Sequence, residues 1–394
     1  MTSFGETYLP PEVVENILSE LDPKTFVICR RVCKTWNEII LRLSQDTDIW
    51  DRFVKNYFDW RVKTIYLKGE LDWPSVYYNW HLWKEIASAD QTVCQVDGLG
   101  TLPVRYITIT RDGKLLITLK DKVMQVNAQT LDIENSIHGR YLQYDQSEYV
   151  TALHADTESL YLTDCFNQRI IDGVQFYSLH EDICYYTTYE QKLYKYVCSR
   201  TVDRPEFLAR WYGSDVITEL HLYEGRVYLL TSAGKLLTYS KQKLEVGGFS
   251  WPRNSIITRE VFHLFGGNNL LYCNNTHLHV SFDNKIILSR ELKRNMEVTC
   301  LLLHANFLFI GTYWGEINLY YYEQLSDLED IDLEKPSYQH ILSNGDSEPI
   351  GSFNIYEENG CHSLFVQTRK HVFVIKFDHL KKLRIEMMKV KIST

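Results

Sequence analysis

The sequence predicts an α+β multidomain chain: a short helical unit at the N-terminus, then an all-β ring of repeated strand–turn–strand units. Three observations carry this. Apolar residues recur at three- and four-residue steps as far as about Ser88, and from about Ala89 onward they alternate in short runs. Those runs group into units of three strands that recur at about 40 residues, the spacing of four-stranded propeller blades. Tyrosine is abundant, 27 in 394 residues, and flat aromatic rings favour strands, where they pack across to their neighbours.

The helical part begins at Pro10-Pro11, which suits a first turn whose N–H groups have no partner. Val13, Val14, Ile17, Leu18 and Leu21 follow at helical spacing and are expected on one stripe. Asp22-Pro23 is a cap followed by a proline, so a second helix starts there. Along it Phe26, Val27, Cys29 and Cys33 are expected to face inward, and Val32, Trp36, Ile39 and Ile40 continue the apolar pattern. A three-helix unit this small cannot bury all of that surface within itself. It packs either on the rest of the chain or on a partner. Further on, Asp46 or Asp48 can cap a helix carrying Ile49, Trp50, Phe53, Val54 and Tyr57, and Asp72-Trp73-Pro74-Ser75 opens another through Trp80, Trp83 and Ile86.

The strand units are legible one by one. They run from Ile107 to Val126, Glu219 to Ser240, Val261 to Phe282, Cys300 to Tyr322 and Ser352 to Phe377. Two fainter units open at Val150-Thr151 and near Val174. Asp112-Gly113, Ala233-Gly234, Trp314-Gly315 and Gly266-Gly267 supply the positive φ of tight hairpins. A short fourth strand fills each gap, as Leu131 to Asn135 can do. Six or seven blades fit, and the irregular spacing between residues 150 and 200 leaves both open. The acidic run Glu323 to Lys335 is expected as a solvated insertion, Ser343 to Pro349 as a loop, and Lys381 to Thr394 as an edge strand closing the last blade, with a mobile basic tail as the alternative.

Two family resemblances rest on particular residues. Leu9, Pro10 and Glu12 fit a Leu-Pro-x-Glu opening, Ile17, Leu18 and Leu21 fit the aliphatics that close the first helix, and Val32, Cys33 and Trp36 fit a Val-Cys-x-x-Trp signature. With Trp50 beyond, Leu9 to Ile40 resembles the F-box, although Cys29-Arg30 stands where a Leu-Arg or Leu-Ala pair is common. Val298 to Tyr320 resembles a WD-repeat blade, but the Gly-His opening and closing Trp-Asp are missing from every unit. The first resemblance implies a substrate-recognition subunit of an SCF-type cullin-RING ubiquitin ligase. The F-box (1–45) then docks a Skp-family adaptor, which brings cullin and RING subunits, through Leu9, Pro10, Glu12, Ile17, Leu18, Leu21, Val32, Cys33 and Trp36. Residues 46–95 form a helical linker, and the propeller (96–394) holds an unknown protein substrate through its top-face loops. Such receptors often read phosphorylated segments through arginines, for which Arg169, Arg226 and Arg259 are candidates. A scaffold that binds the adaptor without directing ubiquitin transfer is the alternative, and a propeller enzyme a third.

Composition narrows the classes. Hydrophobic content is 45% and net charge −9, so nucleic acid is not an expected partner. Nor is a membrane, since no run approaches the ~18–20 apolar residues of a span. Glu6, Glu12, Glu15 and Glu20 are acidic where a signal peptide needs a basic lead. Nine cysteines, an odd and scattered set, suit a reducing compartment, cytosol or nucleus. His277 and His279 share one side of a strand with Cys273 near, yet a zinc site needs more ligands. Cys29 and Cys33 share a helix face, which packing explains. Asp112 and Asp164 sit in turns, where Asx hydrogen bonds account for them. Gly266-Gly267-Asn268-Asn269 precedes no helix, so it lacks the dipole of a phosphate cradle. No hydrolase, Walker, zincin or Cys-x-x-Cys motif is present, so neither enzymatic activity, nor a cofactor, nor a metal is expected.

Overall fold

The computed structural model describes residues 9–46, 49, 52, 73–110, 112–164, 167–198, 204–223, 226–250, 261–266, 269–273, 277–282, 285–292, 296–342, 348–358 and 360–379. The chain divides into two compact units, residues 1–81 and 82–394.

The first unit is helical. Helix α1 (Pro11–Ser19) starts at Pro10, and α2 (Pro23–Ile28) is capped by Asp22, whose carboxylate accepts from the Thr25 N–H at 3.0 Å. A 3-10 turn, Cys29–Arg31, leads into α3 (Lys34–Asp46). Val14, Leu18, Phe26, Ile39, Ile40 and Ile49 form its core. Asp46 is the last residue of α3 rather than a cap. Asp48 and most of the helix expected after it lie outside the described residues. Helix α4 (Trp73–Lys84) begins where the Asp-Trp-Pro-Ser signal places it.

The second unit is a seven-bladed propeller. Each blade is a four-stranded antiparallel sheet, spanning 104–138, 141–171, 174–210, 217–250, 261–291 and 298–341, with the seventh built from 352–378 and an outermost strand from the other end of the domain. That strand is Asp90–Gln95, paired antiparallel with Val372–Asp378. The expectation that chain ends close the ring holds in principle, but Lys381 to Thr394 lies outside the described residues and Asp90–Gln95 occupies the place assigned to it. The propeller therefore starts ahead of residue 96. Blade two opens at Tyr141–Gln146, before the Val150-Thr151 unit that marks its second strand. This first strand was hidden because Gln143 and Asp145 interrupt its apolar alternation, their side chains bonding to each other at 2.6 Å.

The core lies between blades. Leu193 and Leu208 of blade three pack with Leu220, Leu229 and Leu237 of blade four, and Val104, Leu115 and Ile117 pack with Phe365 and Val374 across the closing seam. Gly113, Gly234 and Gly315 adopt the positive φ expected of them. The acidic run is not a freely solvated insertion. It forms a 3-10 turn, Leu325–Asp330, and Leu328 in that turn and Leu333 after it are buried with Tyr320 and Leu301. Apolar residues spaced among the acids give the segment one face that packs.

The seam between blades six and seven holds the largest fully buried side chain among the described residues, Trp83, in the last turn of α4. Its ring stacks on His362 (centroids 4.7 Å apart, 18°) and meets Phe309 edge-on at 5.7 Å. Its Nε1–H donates to the Glu357 carboxylate, which also binds His304 Nε2 at 2.7 Å. Burial alone would raise the Glu357 carboxyl, but the neighbouring His304 charge and these hydrogen bonds hold it below its ordinary value. His362 has both ring nitrogens buried without a hydrogen-bond partner. Burial, reinforced by His379 and His304 and opposed by Glu357, pushes its imidazole down to about 3.

Replacing Trp83 with Ala empties this seam and is expected to cost the propeller about 3–5 kcal/mol, measured by denaturant unfolding; a change under 1 kcal/mol would show that the seam holds without it. The His362 ring predicts an acid limb. The unfolded chain takes up this proton near pH 6.5 whereas the folded chain stays neutral down to about 3, so stability is full above pH 6.5 and falls as pH drops below it. His362→Phe keeps the stack and removes the titration. Its stability loss between pH 7 and pH 5 is expected to be roughly 2 kcal/mol smaller than that of the unaltered protein, and an identical loss in both would contradict this origin.

Candidate functional site: an apolar strip on the N-terminal helices and the upper face of the propeller

Helix α1 carries two apolar stripes, not one. Val14 and Leu18, four apart, turn into the core at 6% and 0% exposure, with half-buried Leu21 against them. Val13 and Ile17, also four apart, stay at 40% and 42% exposure, and Leu9, just ahead of the helix, at 51%. The combined spacing covers so much of the helix circumference that sequence could not separate the stripes. Beyond α1 the same division continues. Phe26 is fully buried, whereas Val27, Ile28 and Val32 are exposed and Cys33 lies open at the surface. The expectation that Val27 and Cys33 face inward is therefore corrected. A helix of only six residues (α2) has room for one inward anchor, and Phe26 takes it.

Of the residues expected at a docking face, Leu9, Pro10, Glu12, Ile17, Val32 and Cys33 are exposed, and Leu21 and Trp36 are half-buried against the core. Leu18 is not at the surface; it fills the core. Glu12 sits in the first turn of α1, where a carboxylate favours the positive end of the helix dipole. Arg30 donates to Asn37 Oδ1 at 2.9 Å, and Glu15 pairs with Arg42, so polar groups rim the apolar strips. Trp50 lies outside the described residues. Six large apolar side chains exposed between Leu9 and Val32 exceed the single scattered ones that any surface shows.

On the propeller, the upper face is the one carrying each blade's middle turn and the links between blades. Tyr189, Tyr212, Tyr313 and Trp314 are exposed there. These were not singled out from sequence, because apolar periodicity reports what is buried and says nothing of an exposed aromatic in a link. The three arginines considered from sequence do not converge. Arg169 lies on the outer strand of blade two and Arg226 begins the second strand of blade four, while Arg259 falls outside the described residues.

The other chemical candidates resolve into structure. His277 and His279 stack on each other at 5.7 Å, and His279 stacks on Tyr272 at 4.7 Å. Burial, with His277 adjacent, lowers His279 to about 4, and burial pushes the Cys273 thiol up to about 12. Among the described residues no three His, Cys, Asp or Glu side chains gather as a metal ligand set. The Asp112 carboxylate accepts from Thr110 Oγ1, and Asp164 accepts the Asn167 N–H at 2.6 Å. No described helix is long and apolar enough to cross a membrane.

Comparison with known proteins supports both halves. The F-box-like family model matches residues 7–56. No curated protein matches the chain. Among solved structures, U3-55K superimposes at a TM-score of 0.54 and 12% identity, covering 73% of this chain and 98% of that one. The C-terminal WD40 domain of Sif2 gives 0.50 and 9%, covering 71% and 82%. The computationally designed Ika8 protein gives 0.50 and 9%, covering 72% and 98%. At such identities the likeness shows the fold alone. The chain thus carries a segment, residues 7–56, that matches the F-box-like family model, followed by a seven-bladed propeller whose fold is like those of these structures.

Proposed function

We propose that this chain is the substrate-recognition subunit of an SCF-type cullin-RING ubiquitin ligase. The observation that carries the proposal is the concentration of exposed apolar side chains on the F-box-like helices, in the segment where Leu-Pro-x-Glu and Val-Cys-x-x-Trp also stand. Leu9, Pro10, Ile17, Val32 and Cys33 touch a Skp-type adaptor. Leu21 and Trp36 sit at the margin of that contact, Glu12 steadies the start of α1, and Leu18 supports the surface from within. Cullin and RING subunits join through the adaptor, in the cytosol or nucleus. The propeller binds the protein to be modified. The chain contributes no bond chemistry of its own: holding a target beside the ubiquitin-charged enzyme raises the effective concentration of its lysines, and degradation by the proteasome follows.

Ile17→Asp with Val32→Asp places two carboxylates on the apolar strips. Capture of a purified Skp-type adaptor by the full chain is expected to fall at least 100-fold while circular dichroism is unchanged, and undiminished capture would move the dock elsewhere. Recovery of cullin with the adaptor supports the ligase role; adaptor without cullin would favour the scaffold alternative. The buried and exposed apolar residues of the helical unit predict unequal stability effects. Leu18→Ala is expected to destabilise the helical unit by about 2–4 kcal/mol, whereas Val32→Ala stays within about 0.5 kcal/mol, both read from denaturant unfolding.

A further inference from the structure

Three segments of the upper face meet around blades three and four: the turn Tyr189–Gln191, the link Trp211–Val216 and the turn Ser232–Gly234. They are tied together tightly. The Trp211 N–H donates to Gln191 O at 2.9 Å, the Ile217 N–H donates to Gln191 Oε1, and the Ser232 N–H donates to Val216 O at 2.8 Å. Inside the link, Trp211 Nε1 donates to Asp215 O at 3.0 Å. The Asp215 carboxylate binds Lys235 at 3.0 Å, and that ammonium also lies 5.6 Å from the centre of the Trp211 ring. The Trp211 ring lies so close over Gly213 that a Cβ there would meet it at 2.3 Å.

On this braced base the side chains that remain outside are aromatic and apolar. Tyr212 is 83% exposed, Tyr189 55% and Val216 49%. Arg210 is exposed beside them, its guanidinium 5.5 Å from the centre of the Tyr212 ring. Of the neighbouring charges, Lys192 pairs with Glu190 and Lys235 with Asp215. Among the described residues no ion pair joins Arg210 to a carboxylate; the Glu190 carboxylate, paired with Lys192, acts on it only through space, so its exposed guanidinium keeps its hydrogen-bonding fork open to a carboxylate from outside.

A rigid, pre-ordered group of tyrosines and an arginine is the composition from which binding hot spots are built, and its rigidity lowers the entropy lost on binding. Resting on the receptor role above, we infer that this patch is the target-docking surface, and that its occupant is an extended protein segment carrying an Asp or Glu beside an aromatic or long aliphatic side chain. Carboxylate fits better than phosphate. A phosphoryl group is typically met by a cluster of arginines, whereas this patch offers one guanidinium fork with its neighbouring cations already neutralised. The apolar anchor packs on Tyr189, Tyr212 and Val216, and the carboxylate takes Arg210.

The test is selection of a random 12-residue peptide display library on the full chain, followed by affinity measurement of the enriched peptides by fluorescence anisotropy. Peptides with Asp or Glu next to an aromatic or aliphatic residue are expected to dominate. Their affinity is expected to fall at least tenfold on Tyr212→Ala and on Arg210→Glu, while adaptor capture is unaltered. Replacing the peptide's Asp or Glu by phosphoserine should not strengthen binding. Enrichment of basic peptides, a phosphoserine requirement, no enrichment, or equal affinity for both variants would each overturn the inference. Adaptor capture is read on the same samples, so failure of the peptide arm with capture intact refutes this surface alone, whereas loss of capture in the unaltered chain refutes the receptor role.

Discussion

Ring closure is the constraint on which the propeller depends. Each blade buries its faces only against the two beside it, so a ring that fails to close leaves two apolar faces open to water. Closure is achieved by a strand of unpromising sequence, Asp90–Gln95, whose side chains are almost all exposed. Its contribution is the backbone ladder to Val372–Asp378, and ladders are indifferent to side-chain polarity. Directly before it in the chain, Trp83 fills the seam between blades six and seven and ties Glu357, His304 and His362 into one packed group. Backbone pairing closes the ring and a single indole fills the space beside it.

The helical unit solves the opposite problem. It has too few residues to bury all its apolar side chains, and it divides them. Val14, Leu18, Phe26, Ile39 and Ile40 make a core just large enough to fix three helices, and Leu9, Val13, Ile17, Val27, Ile28 and Val32 are left outside. Surface of that kind is a standing cost unless something covers it, which is why the receptor role follows more naturally than a free-standing helical cap. The propeller applies the same logic on its upper face, where the segments bearing the exposed tyrosines around Arg210 are braced by Trp211 Nε1 donating to Asp215 O, the Ile217 N–H donating to Gln191 Oε1, and the Asp215–Lys235 pair.

Much of this organisation was legible in the sequence, for physical reasons that also mark where legibility stops. The hairpins of blades one, four, five, six and seven showed themselves in apolar strands joined by tight turns, several of which need glycine at positive φ, as at Gly113, Gly234 and Gly315. Blade two was half hidden because Tyr141–Gln146 carries hydrogen-bonded polar groups instead of an apolar alternation, and the count of seven depended on it. The closing strand was assigned to the wrong end of the chain because a strand held by its backbone leaves no apolar signature. On α1 the spacing marked a helix but could not say which of two adjacent stripes faces inward. The residues proposed to meet a Skp-type adaptor came from the order of Leu-Pro, Val-Cys and Trp; of these Leu18 lies in the core, with Leu21 and Trp36 half-buried against it. The patch around Tyr212 and Arg210 was invisible, since nothing in a pattern of burial announces an aromatic held outside.

The central claim is that one end of this chain docks an adaptor through the strips exposed on its F-box-like helices. Hydrogen exchange of the full chain, with and without a purified Skp-type adaptor, tests it most directly. Protection should appear in amides between Leu9 and Asn37, with the propeller blades unchanged. Protection confined to the propeller, or none at all, would contradict it.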